Sequence, residues 1–251
     1  MRKRLLFWIF LLSAFLPALR SQSSSPFHYE YATILLDSTY SAHENVKMAK
    51  YIAHLKKQLS AQMDVVIGKS TTTLSSFPPA SPLSNLLTDI LLQFGNQYCQ
   101  EKHDVNADVS LLNWGGIRTA IPEGEITIGT IYQISPFENN VVVLEMKGKE
   151  LLRIFDSFTL EKNQPYAGLQ IIYQNNRPVK WLINGEEIES EKVYRLVTVD
   201  FIMTGGDRII PQDAIFENTF LTGSLLRDVI IDGIRKITAQ GKAIEPDGNN
   251  E

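Results

Sequence analysis

Apolar residues recur at two different spacings along this chain, and the change of spacing divides it into segments. Over residues 43–62, Val46, Ala49, Ile52, Ala53 and Leu59 share one helical face, with Lys50, Lys56 and Lys57 mostly elsewhere. That period predicts an amphipathic helix whose stripe joins a core. Leu83, Leu86, Leu87, Ile90, Leu91 and Phe94 repeat the pattern behind Ser81 and Pro82. Serine is a good N-cap, and proline suits the first helical position, so a second helix starts there. Beyond Asp104 the apolar residues gather into short β-branched runs. Residues 109–112, 141–146, 169–173, 179–183 and 194–199 read as strands, with 31–36 and 65–68 as earlier ones. Asn184-Gly185 marks a hairpin turn. Helical spacing returns over 148–158 and over 224–239, the latter through Leu225, Leu226, Val229, Ile230 and Ile234. Helices at both ends of a strand-rich middle predict an α+β fold, with mixed sheets flanked by helices, rather than regular βαβ winding.

The start of the chain follows a different pattern. Arg2, Lys3 and Arg4 precede an unbroken apolar run over 5–12, and Pro17, Ala18 and Ser21 follow near a plausible cleavage point. This is the three-part form of a signal peptide over residues 1–21. As an uncleaved anchor the run is short for a bilayer span. Residues 22–30 then read as a polar linker, 31–240 as one domain, and 241–251 as a polar, disordered tail. Removing Arg2, Lys3, Arg4 and Arg20 takes the formal net charge from −4 to −8. Such a balance argues against a general nucleic-acid binder, which needs a basic footprint. The single cysteine, Cys99, lies among Leu91, Leu92, Phe94 and Tyr98 and reads as a buried thiol. An exported chain without an internal disulfide fits a bacterial periplasm at least as well as an extracellular space.

Several chemistries are missing from the sequence. His28, His43, His54 and His103 form no close metal-ligand pair, so a dedicated zinc or two-metal hydrolase site is not expected. His54 reads as a partly buried structural residue. There is no Gly-x-Ser-x-Gly elbow, P-loop or dinucleotide fingerprint. Glu186-Glu187 reads as a solvated turn, and Asp200 with Asp207 belongs to a loop better suited to binding than to acid–base work.

What the chain does offer is a set of glycine and aromatic loops at strand ends. Asn113-Trp114-Gly115-Gly116-Ile117-Arg118 follows the run 109–112, and Phe201-Ile202-Met203-Thr204-Gly205-Gly206-Asp207 follows 194–199. Ser135-Pro136-Phe137-Glu138-Asn139-Asn140 precedes 141–146. Glycine allows backbone to approach a ligand, arginine offers a fork for an oxyanion, and a carboxylate accepts from hydroxyls. A ring at a strand end can stack on a flat base at about 1–3 kcal/mol. Each Phe taken singly is more often core than platform.

These motifs, with Pro82 to Asp89, Ile126-Thr127-Ile128-Gly129 and Glu145-Met146-Lys147-Gly148, resemble the C-terminal domain of the 5′-nucleotidases over about residues 65–238. The resemblance implies a layered α/β/β/α domain that grips a nucleotide between Phe137 and Phe201. Asn113 would meet the base or nearby polar groups, Arg118 the phosphate or ribose, and Asp207 the ribose hydroxyls, with Gly115, Gly116 and Gly206 shaping the loops. No catalytic, cofactor-binding or metal-ligating residue is expected in this chain. Trp114 stands where the family usually has a small residue, Ser84 replaces a usual glycine, and residues 76–80 lack the family's arginine. The resemblance further implies a hydrolase of nucleotide catabolism whose divalent metals sit in a separate metallophosphoesterase chain, with no stable membrane span after cleavage. A stand-alone periplasmic module that binds nucleotides or nucleosides without hydrolysis is the alternative.

Overall fold

The computed structural model describes residues 31–35 and 45–246, so the expected leader and linker lie outside the described residues. The chain divides into two units, residues 1–50 and 51–251. In the first, residues 31–35 are exposed and form no strand, contrary to the expectation for 31–36. Asn45 caps helix α1 (Val46–Met63), its side-chain oxygen accepting from the Met48 N–H at 3.1 Å.

In the second unit the main sheet has five strands in the order β10-β4-β9-β2-β5. These are β10 (Asn218–Leu225), β4 (Asn140–Lys147), β9 (Val193–Val199), β2 (Val109–Leu111) and β5 (Tyr166–Ala167). Strands β4 and β9 run antiparallel from Val141↔Val199 to Lys147↔Val193, while β2 and β9 run parallel. Their near-continuous apolar sequences follow from burial on both faces. Val141, Val142, Val143, Leu144, Leu196, Val197 and Val199 are all fully buried. Burying each such aliphatic side chain contributes roughly 1.5–3 kcal/mol. The polar residues inside are satisfied: Ser110 donates to the Thr88 carbonyl at 2.7 Å and Thr198 to the Leu111 carbonyl at 2.8 Å.

Helix α2 (Pro82–His103) covers one face of this sheet. Ser81 and Ser84 form a reciprocal capping box at its start, so Ser84 helps close the helix end. Leu83, Leu87, Ile90 and Leu91 are buried as the spacing predicts. A Cβ on Gly95 would lie 2.2 Å from Val197 Cγ2, so this glycine sets how closely the helix approaches β9. Helix α6 (Leu226–Ala239) packs beside α2, and α4 (Gly148–Phe155) packs against β4 and β9. Two smaller sheets complete the unit. One pairs β1 (Val66–Ser70) with β3 (Gly124–Thr127); the other joins β6 (Leu169–Gln174), β7 (Arg177–Ile183) and β8 (Glu186–Glu187). The β7–β8 hairpin turns at Asn184-Gly185, both at positive φ.

The structure differs from the sequence reading in several places. No residue of α1 is buried among the described residues, and its stripe leaves Tyr51, Ile52, Leu55 and Leu59 exposed. His54 is likewise exposed, not partly buried. Strand β3, the short helix α3 (Ile128–Ile134) and strand β10 were not expected, and β10 takes Ser224 and Leu225 from the expected last helix. Helix α4 stops at Phe155, short of residue 158. Within the expected tail, Ile244 is buried and bridges to Ser70, with its N–H donating to the Lys69 carbonyl at 2.8 Å. Among the described residues, no helix is long and apolar enough to cross a membrane.

Candidate functional site

The first wall of the site forms where β2 ends. Asn113 is extended (φ −113°, ψ 145°) and buried, and Trp114–Gly116 make one 3-10 turn behind it. The Gly116 N–H donates to the Asn113 carbonyl at 3.0 Å, and the Arg118 N–H to the Ile134 carbonyl at 2.9 Å. The turn thus folds Asn113 and Arg118 back toward one another across the two glycines. Arg118 Nη1 donates to the Gly115 carbonyl at 3.2 Å, and its guanidinium carbon stands 5.9 Å from the centre of the Phe137 ring. That placement is within cation–π range.

The second wall follows β9. A single helical turn, α5 (Asp200–Met203), carries Phe201. Asp200 braces it: one carboxylate oxygen accepts from the Phe201 N–H at 2.8 Å, the other from Asn140 Nδ2 at 3.0 Å. Asp200 is therefore a structural bracket between the two loops, and Asp207 is the carboxylate that faces the site. Three residues at positive φ follow within four positions: Gly205 (92°), Asp207 (53°) and Arg208 (55°). For Asp and Arg this is strained backbone. It brings Asp207 Oδ2 within 2.6 Å of Asn113 Nδ2, which donates to it and ties the walls together.

Between the walls lies a cavity of about 260 Å³ lined by Asn113, Gly115, Gly116, Arg118, Phe137, Asn139, Phe201 and Asp207. Three separate stretches of chain meet there. Phe137 and Phe201 are 45% and 42% exposed, so both rings keep surface free for a ligand. Gly206 does not line the cavity. It touches the Phe201 ring, where a Cβ would fall 2.4 Å from Cε1 and 2.5 Å from the Phe201 carbonyl oxygen. Asn139 was not singled out from sequence, although it sits two residues after Phe137 in the same loop.

Trp114 belongs elsewhere. Its indole N–H donates to the Asn163 carbonyl at 2.8 Å and its backbone N–H to Gln164 Oε1 at 3.1 Å. With these bonds it lines a neighbouring cavity and not the one between the two walls. Cys99 is buried, and burial pushes its thiol pKa up, which suits an unreactive core cysteine. Among the described residues, no group of three or more His, Cys, Asp and Glu could hold a metal ion.

The fold and cavity together define a ligand-binding domain with aromatic, carboxylate and guanidinium walls. Residues 61–213, more than half of the chain, match the family described as 5′-nucleotidase, C-terminal domain. The chain belongs to that family. It is 25% identical over 170 residues to protein UshA of Escherichia coli, covering 65% of this chain and 30% of the relative. An apyrase from Tabanus yao is also 25% identical, over 187 residues, covering 65% of this chain and 33% of the relative. Among solved structures, a 5′-nucleotidase precursor from Thermus thermophilus superposes with a TM-score of 0.62 at 25% identity, covering 77% of this chain and 41% of that one. The NAD nucleotidase of Haemophilus influenzae superposes at 0.59 with 17% identity, covering 82% and 40%, and supports the fold alone. The chain thus spans well under half the length of each of these proteins.

Proposed function

We propose that this chain is the nucleotide-recognition part of a 5′-nucleotidase. The nucleoside lies between Phe137 and Phe201, Asp207 accepts from ribose hydroxyls, Asn113 meets polar edges of the base, and Arg118 takes the phosphate or ribose. The observation that carries this reading is the convergence of Asn113, Arg118, Phe137, Phe201 and Asp207 from distant segments on one cavity. Two stacked rings contribute about 1–3 kcal/mol each, and a paired carboxylate adds orientation.

Hydrolysis of the phosphate ester falls, in this reading, to a separate metallophosphoesterase chain that holds divalent metals. The role of this chain in that reading is positioning, which can itself lower a barrier by several kcal/mol. The exposed stripe of Tyr51, Ile52, Leu55 and Leu59 gives such a partner apolar surface to cover. Export to a bacterial periplasm is proposed from the leader pattern of residues 1–21. The test is hydrolysis of adenosine 5′-phosphate with divalent metal, by the purified chain alone and with a candidate metallophosphoesterase. Turnover only in the mixture supports the division of labour; turnover by the chain alone refutes it.

A further inference from the structure

A second cavity, of about 410 Å³, adjoins the clamp and shares Asp207 with it. Its walls include Trp114, Glu161, Lys162, Gln164 and Arg208. Three features of this cavity are left unused by the clamp. Trp114 is held in its wall by the two hydrogen bonds to Asn163 and Gln164. Arg208 keeps a left-handed backbone, with φ at 55°, immediately after Asp207 at 53°. These two successive left-handed residues thus place Asp207 in the lining of both cavities and Arg208 in the lining of the second. Strain of this kind persists where surrounding structure imposes it, and it gathers at ligand sites. Lastly, among the described residues neither Lys162 nor Arg208 has an ion-pair partner.

We propose that this cavity is an anion subsite that extends the clamp past the ribose hydroxyl edge, for a nucleotide carrying a further phosphate on its 2′ or 3′ oxygen. The proposal rests on the reading that Asp207 meets the ribose hydroxyls. A phosphate on one of them leaves the other for Asp207 and projects into the chamber that begins on the far side of that carboxylate. Arg208 offers it a planar fork and Lys162 a point charge. The cavity is larger than the clamp itself, so a phosphate fits without displacing Trp114. Glu161 and Asp207 also line the chamber, so recognition comes from direct contact by the two cations and not from a diffuse basic field.

The test compares four ligands by calorimetry: adenosine 5′-phosphate, adenosine 5′-diphosphate, and adenosine 2′,5′- and 3′,5′-bisphosphate. At least one bisphosphate should bind ten-fold or more tighter than the monophosphate, and tighter than the diphosphate, which adds charge on the other side of the ribose. The double substitution Lys162→Gln and Arg208→Gln should abolish that gain and leave affinity for the monophosphate within two-fold. Bisphosphates that bind no tighter than the monophosphate overturn the subsite while leaving the clamp intact. If no adenosine nucleotide binds at all, the clamp reading fails and the subsite falls with it. The ligand comparison on the unsubstituted chain decides the matter even if the double variant folds poorly.

Discussion

The two Gly-Gly loops look alike in sequence and are built on different physical grounds. In Gly115-Gly116, neither residue needs positive φ, and the demand is for space. A Cβ on Gly116 would come 2.7 Å from Asn113 Oδ1, whereas one on Gly115 would meet only ordinary contacts at 3.4 Å and beyond. In Gly205-Gly206 the first glycine supplies the left-handed turn, at φ 92° with open space around it, and the second supplies clearance beneath Phe201. One glycine in each pair therefore protects a side chain of the clamp. Only the late loop also stores strain, through Asp207 and Arg208.

Alanine substitutions at the four glycines separate these roles. Gly206→Ala should have the largest effect, because backbone as well as ring must move away from the new Cβ. Nucleotide affinity should fall about ten-fold or more, the value of one lost base–aromatic stack, as read by calorimetry. Gly205→Ala should act on stability instead, costing about 1–2 kcal/mol in denaturant unfolding through its left-handed backbone, with a smaller change in affinity. For Gly116→Ala the clashing atom is the end of a side chain that can rotate away, at the expense of the Asn113–Asp207 bond. A loss of about 1 kcal/mol in nucleotide binding is expected, the typical net worth of one hydrogen bond. Gly115→Ala should change neither affinity nor stability by more than about 0.5 kcal/mol. A larger loss of affinity in Gly205→Ala than in Gly206→Ala would break the distinction between turn and space.

The same contrast runs through what could be read from sequence. Helices α1 and α2 both show apolar stripes, and the pattern correctly predicts a helix at each. In α2 the stripe is buried, helped by a serine cap and by Gly95 pressing close to Val197. In α1 it is not, because periodicity defines a face but not what covers it. Strand β10 escaped notice because Asn218, Thr219, Thr222 and Ser224 give an edge strand a polar sequence, while Leu221 is left exposed. The seven-residue α3 escaped because it is too short for periodicity, although Thr127 and Thr130 cap it reciprocally. The clamp was more legible than these elements. Its loops lie directly at strand ends, so correct strands place Asn113, Phe137, Phe201 and Asp207 at one end of the sheet. The orientation of Trp114 was hidden, since it is set by Asn163 and Gln164 about 50 residues away. The positive φ of Arg208 was hidden for a related reason: nothing in an arginine asks for it, whereas an aspartate such as Asp207 tolerates it.

In the proposed function Phe137, Phe201 and Asp207 together grip a nucleotide. Calorimetric titration of adenosine 5′-phosphate into the purified chain, unsubstituted and as Phe201→Ala, tests it most directly. Saturable binding at one site is expected, weakening about ten-fold or more when the ring is removed. No binding at millimolar ligand, or a dissociation constant that Phe201→Ala leaves unchanged, would contradict it.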